Sequence, residues 1–187
     1  MIDPTIPLVE LHRHLDGNVR LGTILDLGRK HNLRLPAADE AGLRPYVQVT
    51  KPQPGVMAFI DKFQWLIYVM ADYSAVQRIA YENVEDAHND GLDYIELRFS
   101  PWFMAEAHRL DPAGVVEAVL AGVDAGQKTF GVKVSLIGIL SRTYGPDIAW
   151  KELEALLTQQ HRITALDLAG DEANFPAAWF RDRKSVV

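Results

Sequence analysis

The chain has 187 residues, 48% hydrophobic and 24% charged, a composition typical of a globular domain with one sizeable core and not of a disordered segment. Its 25 Asp and Glu outnumber 19 Lys and Arg, and the net charge of −6 argues against nucleic acid as a partner. There is no cysteine, so only His, Asp and Glu remain as strong metal ligands.

The N-terminus has no basic segment followed by an apolar core, and no stretch of about 18 uncharged apolar residues occurs in the chain. We therefore expect a cytoplasmic protein that makes no contact with a membrane.

Apolar runs alternate with helical patterns along the first half of the chain. Residues 6–14 are predicted to form a strand and residues 21–32 a helix. Three prolines in residues 45–55 predict a loop. Helical spacing then returns over residues 56–70, and a further helix is predicted from Ser74, its N-cap, to Asp90.

The second half of the chain repeats this alternation. Strands are predicted at residues 92–99, 132–140 and 163–169, the first of them ending at Ser100 and Pro101. Asp111 followed by Pro112 predicts a helix start, and that helix is expected to run to about Thr129 and to end at Gly131. Another helix is predicted over residues 146–160.

Strands that alternate with helices at this spacing imply a parallel sheet, either doubly wound or closed into a barrel. Polar residues at the predicted carboxyl ends of the strands favour a barrel, because barrel enzymes build their sites there. These residues are His12 and His14, Glu96 and Arg98, Ser141 and Arg142, and Gly170 and Asp171. No glycine-rich phosphate loop follows the first strand. We predict an α/β fold made of the first four β/α units of a (β/α)8 TIM-type barrel, with an inserted helical lid region after the first strand.

His12 and His14 are the first candidate metal ligands. Side chains at i and i+2 of a strand share a face, so both rings are expected to point into the barrel mouth. Two imidazoles can bind one divalent metal. From the pair alone, two strand-end histidines with hydrogen-bonded partners are an equally good interpretation.

Four sequence blocks together resemble the bacterial adenosine deaminases, zinc enzymes of the amidohydrolase superfamily. They are VELHRHLDGNVR, then YIELRFSP at 94–101, GILSRTYG at 138–145 and ALDLAGDE at 165–172. The resemblance is specific, because HxHLDG is joined by three further blocks in the same order. It implies a (β/α)8 barrel, one Zn²⁺ per site with His12 and His14 among its ligands, and a purine nucleoside substrate.

The resemblance also implies roles for residues near the predicted site. His14 and Asp16 would contact the sugar, and Gly170 would offer its backbone to the purine. From the residues alone, Asp16 could equally cap the following helix, and Gly170 could be a turn glycine. Phe59 and Phe63 form an i, i+4 pair typical of core packing, and the similarity of FIDKF to the family's FxxKF helix implies a lid.

Other residues are assigned structural roles or none. Glu96 and Arg98 share a strand face, and we expect them to form an inward structural ion pair. The family's proton-transferring glutamate, third zinc histidine, further histidine and aspartate pair belong to blocks that these 187 residues do not contain, so no catalytic residue is predicted. Residues 1–176 are interpreted as the N-terminal half of a deaminase barrel, and residues 177–187 as a divergent, unstructured, basic tail.

The expected function is zinc-dependent hydrolytic deamination of adenosine and deoxyadenosine to inosine and ammonia in purine salvage. The alternatives are an inactive truncated remnant, an adenine deaminase, or a phosphoesterase with the same HxH opening. The ELRFSP and DLAGDE blocks argue against a phosphoesterase, and Asp16 favours a nucleoside over a free base. We also expect self-association through exposed barrel edges, and no turnover by the 187 residues alone.

Overall fold

The computed structural model describes residues 6–52 and 55–181, and its centre is one sheet of four parallel strands. The strands are β1 (Val9–His14), β2 (Tyr94–Phe99), β3 (Lys133–Ser141) and β4 (Ile163–Ala169). Their order in the sheet is β1-β2-β3-β4, the same as their order in the chain. A doubly wound sheet reverses direction at a switch point, whereas a barrel adds each strand on the same side. The architecture is therefore that of a partial α/β barrel, as predicted.

Eight α-helices occur within the described ranges. They are α1 (Leu21–Lys30), α2 (Glu40–Val47), α3 (Val56–Ile60), α4 (Gln64–Tyr68), α5 (Tyr73–Asn89), α6 (Pro101–Glu106), α7 (Pro112–Phe130) and α8 (Pro146–Leu157). Three 3-10 turns are found at Asp61–Phe63, Arg142–Tyr144 and Ala177–Phe180. None of the helices in this part of the chain is both long enough and apolar enough to cross a membrane.

The hydrophobic core lies between the sheet and the helices. Alternate residues of β2, namely Ile95, Leu97 and Phe99, are fully buried and belong to one core cluster with side chains of α5, α7 and α8. Helix α7 approaches α5 closely because Gly122 has no side chain, and a Cβ there would lie 2.3 Å from the carbonyl oxygen of Gln77. The opposite face of β2, with Glu96 and Arg98, is only partly buried and turns toward the barrel interior.

Helix ends follow the local chemistry of the sequence, with one correction. The carboxylate of Asp111 accepts from the backbone of Ala113, and Gly131 ends α7 in the left-handed conformation, both as predicted. Helix α5, however, is capped by Asp72, whose carboxylate accepts from Ala75 N at 2.7 Å, and not by Ser74. Ser74 is helical, and its hydroxyl donates to Asp72.

The region after the first strand differs most from the prediction. Residues 40–47 are helical although Pro45 lies inside the helix, because Leu43 and Val47 are buried in the core. The single helix expected over residues 56–70 is divided by the 3-10 turn at 61–63.

Ser100 and Pro101 end β2 as expected, but they also start α6: Ser100 Oγ accepts from Phe103 N at 3.0 Å.

The segment after Pro176 is ordered where it is described, so the prediction of an unstructured tail is wrong for residues 177–181. Ala177–Phe180 form a 3-10 turn, and the Phe180 side chain is fully buried in the core. Burial of an aromatic ring removes a large apolar area from water, which accounts for the order of this turn. Residues 182–187 of the predicted tail lie outside the described residues.

Candidate functional site

A cavity of about 210 Å³ opens at the carboxyl ends of the strands. Its wall contains at least one residue from the end of every strand: His14 and Asp16 for β1, Ser100 for β2, Ser141 for β3 and Gly170 for β4. Phe59 and Phe63 also line it. Because parallel strands end at one edge of a sheet, residues far apart in the chain meet there. The structure therefore brings together His14, Asp16 and Gly170, and it adds Phe59 of α3 and Phe63 of the following 3-10 turn, as the sequence predicted.

His12 and His14 lie side by side at the end of β1. Their ring centroids are 5.4 Å apart and the ring planes are inclined by 45°. His12 is exposed and lines a neighbouring cavity of about 570 Å³, which shares His14, Phe59 and Phe63 with the first. Desolvation, followed by the positive charges of Arg98 and His14, lowers the pKa of His12. The neutral imidazole, which is the form that binds metals, is thereby favoured.

Asp16 is a buried carboxylate that connects β1 to β2. Only 2% of its surface is exposed. Its Oδ2 accepts from Ser100 N at 3.1 Å, and its Oδ1 lies 3.3 Å from His14 Nδ1. Helix α1 has Arg20 at its N-cap, with no side-chain hydrogen bond to the cap. The interpretation of Asp16 as a helix cap is therefore wrong.

The aromatic side of the cavity is held close to the histidines. Phe59 and Phe63 pack edge to face with centroids 5.2 Å apart, and the rings of Phe63 and His14 are nearly perpendicular with centroids 6.2 Å apart. Gly17 makes this approach possible, because a Cβ there would lie 2.3 Å from Phe63 Cε1. Phe59 is 43% exposed, whereas Phe63 is partly buried and packs against the core.

Gly170 has two local reasons to be glycine. Its φ is +114°, a conformation that L side chains rarely adopt, and a Cβ would lie 2.5 Å from Thr143 Oγ1. Its role as a turn glycine is therefore evident. Its proposed contact with a ligand remains a prediction, supported by its place in the cavity wall.

The predicted ion pair between Glu96 and Arg98 is wrong. Arg98 Nη1 instead donates to Asp167 Oδ2 of β4 at 2.7 Å, across the inner face of the sheet. The carboxylate of Glu96 accepts from the hydroxyl of Tyr94 at 3.2 Å. Arg142, another strand-end residue, is buried away from the cavity and donates to the carbonyl of Leu168.

One polar residue near the cavity was not predicted. Glu152 of α8 is fully buried, and its carboxylate accepts from Ser100 Oγ and from Ser141 N, both at 2.5 Å. Burial raises its pKa to about 7, against the opposing effect of the hydrogen bonds from Ser100, Ser141 and the backbone of Trp102. The available signal was a glutamate among the apolar positions Ala149, Leu153 and Leu156 of the same helix.

The donor atoms of the site suit a transition metal only in part. Imidazole nitrogens are good ligands for zinc and similar ions, and His12 and His14 provide two of them. Within residues 6–52 and 55–181, no group of three or more His, Cys, Asp or Glu is arranged to hold a metal ion. The two histidines are fewer ligands than the three or four that protein zinc sites use.

Comparison with known proteins gives matches along nearly the whole chain. The profile of the family described as adenosine deaminase matches residues 7–186, which include most of the segment predicted to diverge. The adenosine deaminase of Shewanella loihica is 56% identical over 187 residues, covering 100% of this chain and 56% of the relative. That of Pectobacterium atrosepticum is 55% identical over 180 residues, covering 96% and 53%. The chain thus spans about half the length of these curated relatives, and the predicted boundary at residue 176 stays a prediction.

Solved structures share the fold at lower identity. An adenine deaminase from Arthrobacter aurescens matches with a TM-score of 0.84 and 22% identity, covering 96% of this chain and 54% of the other. An amidohydrolase from Burkhoderia ambifaria, solved with bound Zn, matches with a TM-score of 0.78 and 22% identity, covering 95% and 48%. These likenesses establish the barrel architecture of the described sheet and helices.

Proposed function

This chain belongs to the adenosine deaminase family, and from that premise we propose that it provides part of a zinc-dependent site for the hydrolytic deamination of adenosine and deoxyadenosine. Water replaces the exocyclic amino group, giving inosine or deoxyinosine and ammonia, a reaction of purine salvage. The observation that carries the proposal is the cavity where His14, Asp16 and Gly170 meet, with the ring of His12 beside His14.

His12 and His14 are the proposed zinc ligands contributed by this chain. A zinc ion held there would supply a Lewis acid that makes water nucleophilic near neutral pH. The neutral form of His12, favoured by its lowered pKa, suits this role. The remaining ligands are not assigned to any residue of the chain.

His14 and Asp16 are proposed to bind the sugar, and the Gly170 backbone the purine. Each oxygen of an ionised carboxylate can accept more than one hydrogen bond, so Asp16 retains acceptor capacity beyond its bond from Ser100 N. Hydroxyl groups of ribose are suitable donors. Asp16 follows β1 and Gly170 follows β4, the two edge strands of the sheet, and the cavity between them is left for the nucleoside.

Phe59 and Phe63 are proposed to shield the site from water. Phe63 contacts the His14 ring, and Phe59 extends the aromatic surface toward solvent. An apolar cover of this kind excludes water and strengthens polar interactions beneath it. The proton-transferring group is not assigned to this chain: Glu152 is enclosed, and its carboxylate is occupied by Ser100 and Ser141.

The test is a spectrophotometric adenosine assay on two proteins. One is the 187-residue chain, and the other is this chain joined to the part of the Shewanella loihica relative that lies outside the match. We expect no turnover by the first and zinc-dependent turnover by the second, lost in its His12→Ala variant. Turnover that survives chelation or His12→Ala would contradict the proposal. Hydrolysis of a phosphodiester in place of adenosine would favour the phosphoesterase alternative.

A further inference from the structure

Glu152 is the centre of a buried hydrogen-bond network directly behind the cavity. It is fully buried on α8, and its two carboxylate oxygens reach two different strand ends. Oε1 accepts from the hydroxyl of Ser100, after β2, and Oε2 accepts from the backbone N–H of Ser141, at the end of β3. Ser100 and Ser141 both line the cavity, whereas Glu152 does not.

The hydrogens in this network have defined directions. An ionised carboxylate only accepts, so the Ser100 hydroxyl must donate to Glu152. Ser100 Oγ in turn accepts from Phe103 N at 3.0 Å and from the hydroxyl of Ser141 at 3.0 Å. The single hydroxyl hydrogen of Ser141 is therefore directed into the network, and only its oxygen lone pairs remain for a ligand.

The same network reaches Asp16. The backbone N–H of Ser100 donates to Asp16 Oδ2 at 3.1 Å, so one residue connects both carboxylates. Asp16 and Ser141 thus contribute two acceptors to one cavity wall. A ligand that carries hydrogen-bond donors complements this wall, and adenosine offers ribose hydroxyls and an exocyclic amino group.

We propose that Glu152 is a positioning residue, which orients the hydroxyls of Ser100 and Ser141 so that Ser141 presents an acceptor to a donor group of the nucleoside. This inference rests on the proposed function for the nature of the ligand. Glu152 touches neither ligand nor metal in this arrangement. It acts through Ser141, and its effect on binding depends on that hydroxyl.

The isosteric change Glu152→Gln reverses the network. The backbone N–H of Ser141 still requires an acceptor, so the amide oxygen takes the place of Oε2 and the amide NH₂ faces Ser100. Ser100 must then accept from the amide and donate to Ser141. The hydrogen of Ser141 then loses Ser100 Oγ as its acceptor, and we expect it to turn toward the cavity, where it opposes the ligand donor.

The test measures adenosine binding by NMR titration of the full 187-residue chain at pH 8, where Glu152 is ionised. The variants are Glu152→Gln, Ser141→Ala and their combination, with Glu154→Gln as the matched control. Glu154 is an exposed glutamate of the same helix, two residues away. We expect Glu152→Gln to weaken binding about tenfold, Glu154→Gln to have no effect, and the double variant to bind no more weakly than Ser141→Ala.

A structural role for Glu152 would give a different result. In that case Glu152→Gln would weaken binding equally in the presence and absence of the Ser141 hydroxyl, and this outcome would overturn the proposal.

Analogues that each lack one donor, namely purine riboside and the 2′- and 5′-deoxy nucleosides, identify the partner of Ser141. The proposal expects one of them to lose affinity in the wild-type chain and not in Glu152→Gln; equal losses in both proteins overturn it.

A second measurement needs no ligand. The ¹³C resonance of the Glu152 carboxyl carbon should show deuterium isotope shifts from its hydrogen bonds, among them those of the Ser100 hydroxyl and the Ser141 amide. If these shifts are present and adenosine does not bind, the proposed function fails while the hydroxyl orientation stands. If they are absent, the positioning role is refuted whether or not adenosine binds.

Discussion

Nδ1 of His14 lies 3.3 Å from Oδ1 of Asp16, a carboxylate that is almost completely buried. Because a carboxylate only accepts, a hydrogen bond here requires a hydrogen on Nδ1, and a neutral His14 then keeps its lone pair on Nε2. This is the arrangement that orients a metal-binding histidine through a carboxylate partner. Asp16 therefore serves the ring of His14 as well as the wall of the cavity.

We predict that Asp16→Asn weakens zinc binding by roughly 10- to 100-fold, the usual effect of losing a carboxylate partner of a metal-binding histidine. The amide NH₂ can face Nδ1 and force the hydrogen onto Nε2, which removes the lone pair that binds metal. Competition with a chromophoric chelator measures the affinity. Asp147→Asn, at an exposed position of α8, is the control, and equal affinities of the two variants would disprove the role of Asp16.

Zinc binding by the chain itself should be weak, because His12 and His14 are two ligands where zinc sites in proteins use three or four. His12→Ala and His14→Ala should each abolish it. His161→Ala, at an exposed residue before β4, should leave it unchanged. Equilibrium dialysis followed by metal analysis gives the stoichiometry. Tight stoichiometric zinc in either of the first two variants would show that the ligands are wrongly assigned.

Gly170→Ala should destabilise the chain by about 1–3 kcal/mol, through its positive φ and the contact with Thr143. Gly91→Ala is a matched control, because Gly91 also has a positive φ but no atom within 4 Å of an added Cβ. The difference between the two free energies of unfolding contains the Thr143 contact together with the greater strain of φ +114° at Gly170 compared with +75° at Gly91. It should shrink when Thr143→Ala is added to Gly170→Ala; an unchanged difference would assign the cost elsewhere.

Glu152 should make stability depend on pH. Its pKa is raised by burial from 4.5 to about 7, so the folded state binds a proton that the unfolded state has already released over this range. The contribution of Glu152 is therefore fully present below pH 4.5 and is lost as pH rises through about 7. Urea unfolding between pH 5 and 8 should show this decline in the wild-type chain and a smaller one in Glu152→Gln. Parallel curves would contradict it.

Self-association through β1 remains a prediction. Val9 and Leu11 are 54% and 55% exposed on this strand, and an exposed apolar strand can pair with another chain. Leu11→Lys should shift sedimentation profiles toward the monomer. Tyr46→Lys removes a comparably exposed ring from α2 and should not. A wild-type chain that sediments as a monomer at all concentrations would exclude association.

The sequence predicted elements best where local chemistry determines them. Strand β4 begins and ends at the predicted residues, and α7 starts at Pro112 after its Asp111 cap and ends before Gly131. Among the predicted strand-end residues, His14, Ser141 and Gly170 line the cavity, because strand ends in a parallel sheet converge whatever the details of packing.

The features that the sequence did not predict depend on contacts between distant segments of the chain. Arg98 pairs with Asp167 because the strand register brings them together, and no local pattern distinguishes Asp167 from Glu96 as its partner. Pro45 lies within a helix because burial of Leu43 outweighs its local cost. Glu152 gains its importance from Ser100 and Ser141, whose positions are fixed only by the fold.

The sequential strand order also has a consequence for how the chain folds. Leu136 of β3 pairs with Ile163 of β4, whereas Val9 of β1 pairs with Tyr94 of β2. The loop that closes when β1 pairs with β2 is therefore about three times as long as the loop between β3 and β4. Contacts between nearby segments form earlier because they lose less chain entropy. We therefore expect the sheet to nucleate among β2, β3 and β4, and His12 and His14 to reach their positions only when β1 docks in a late step.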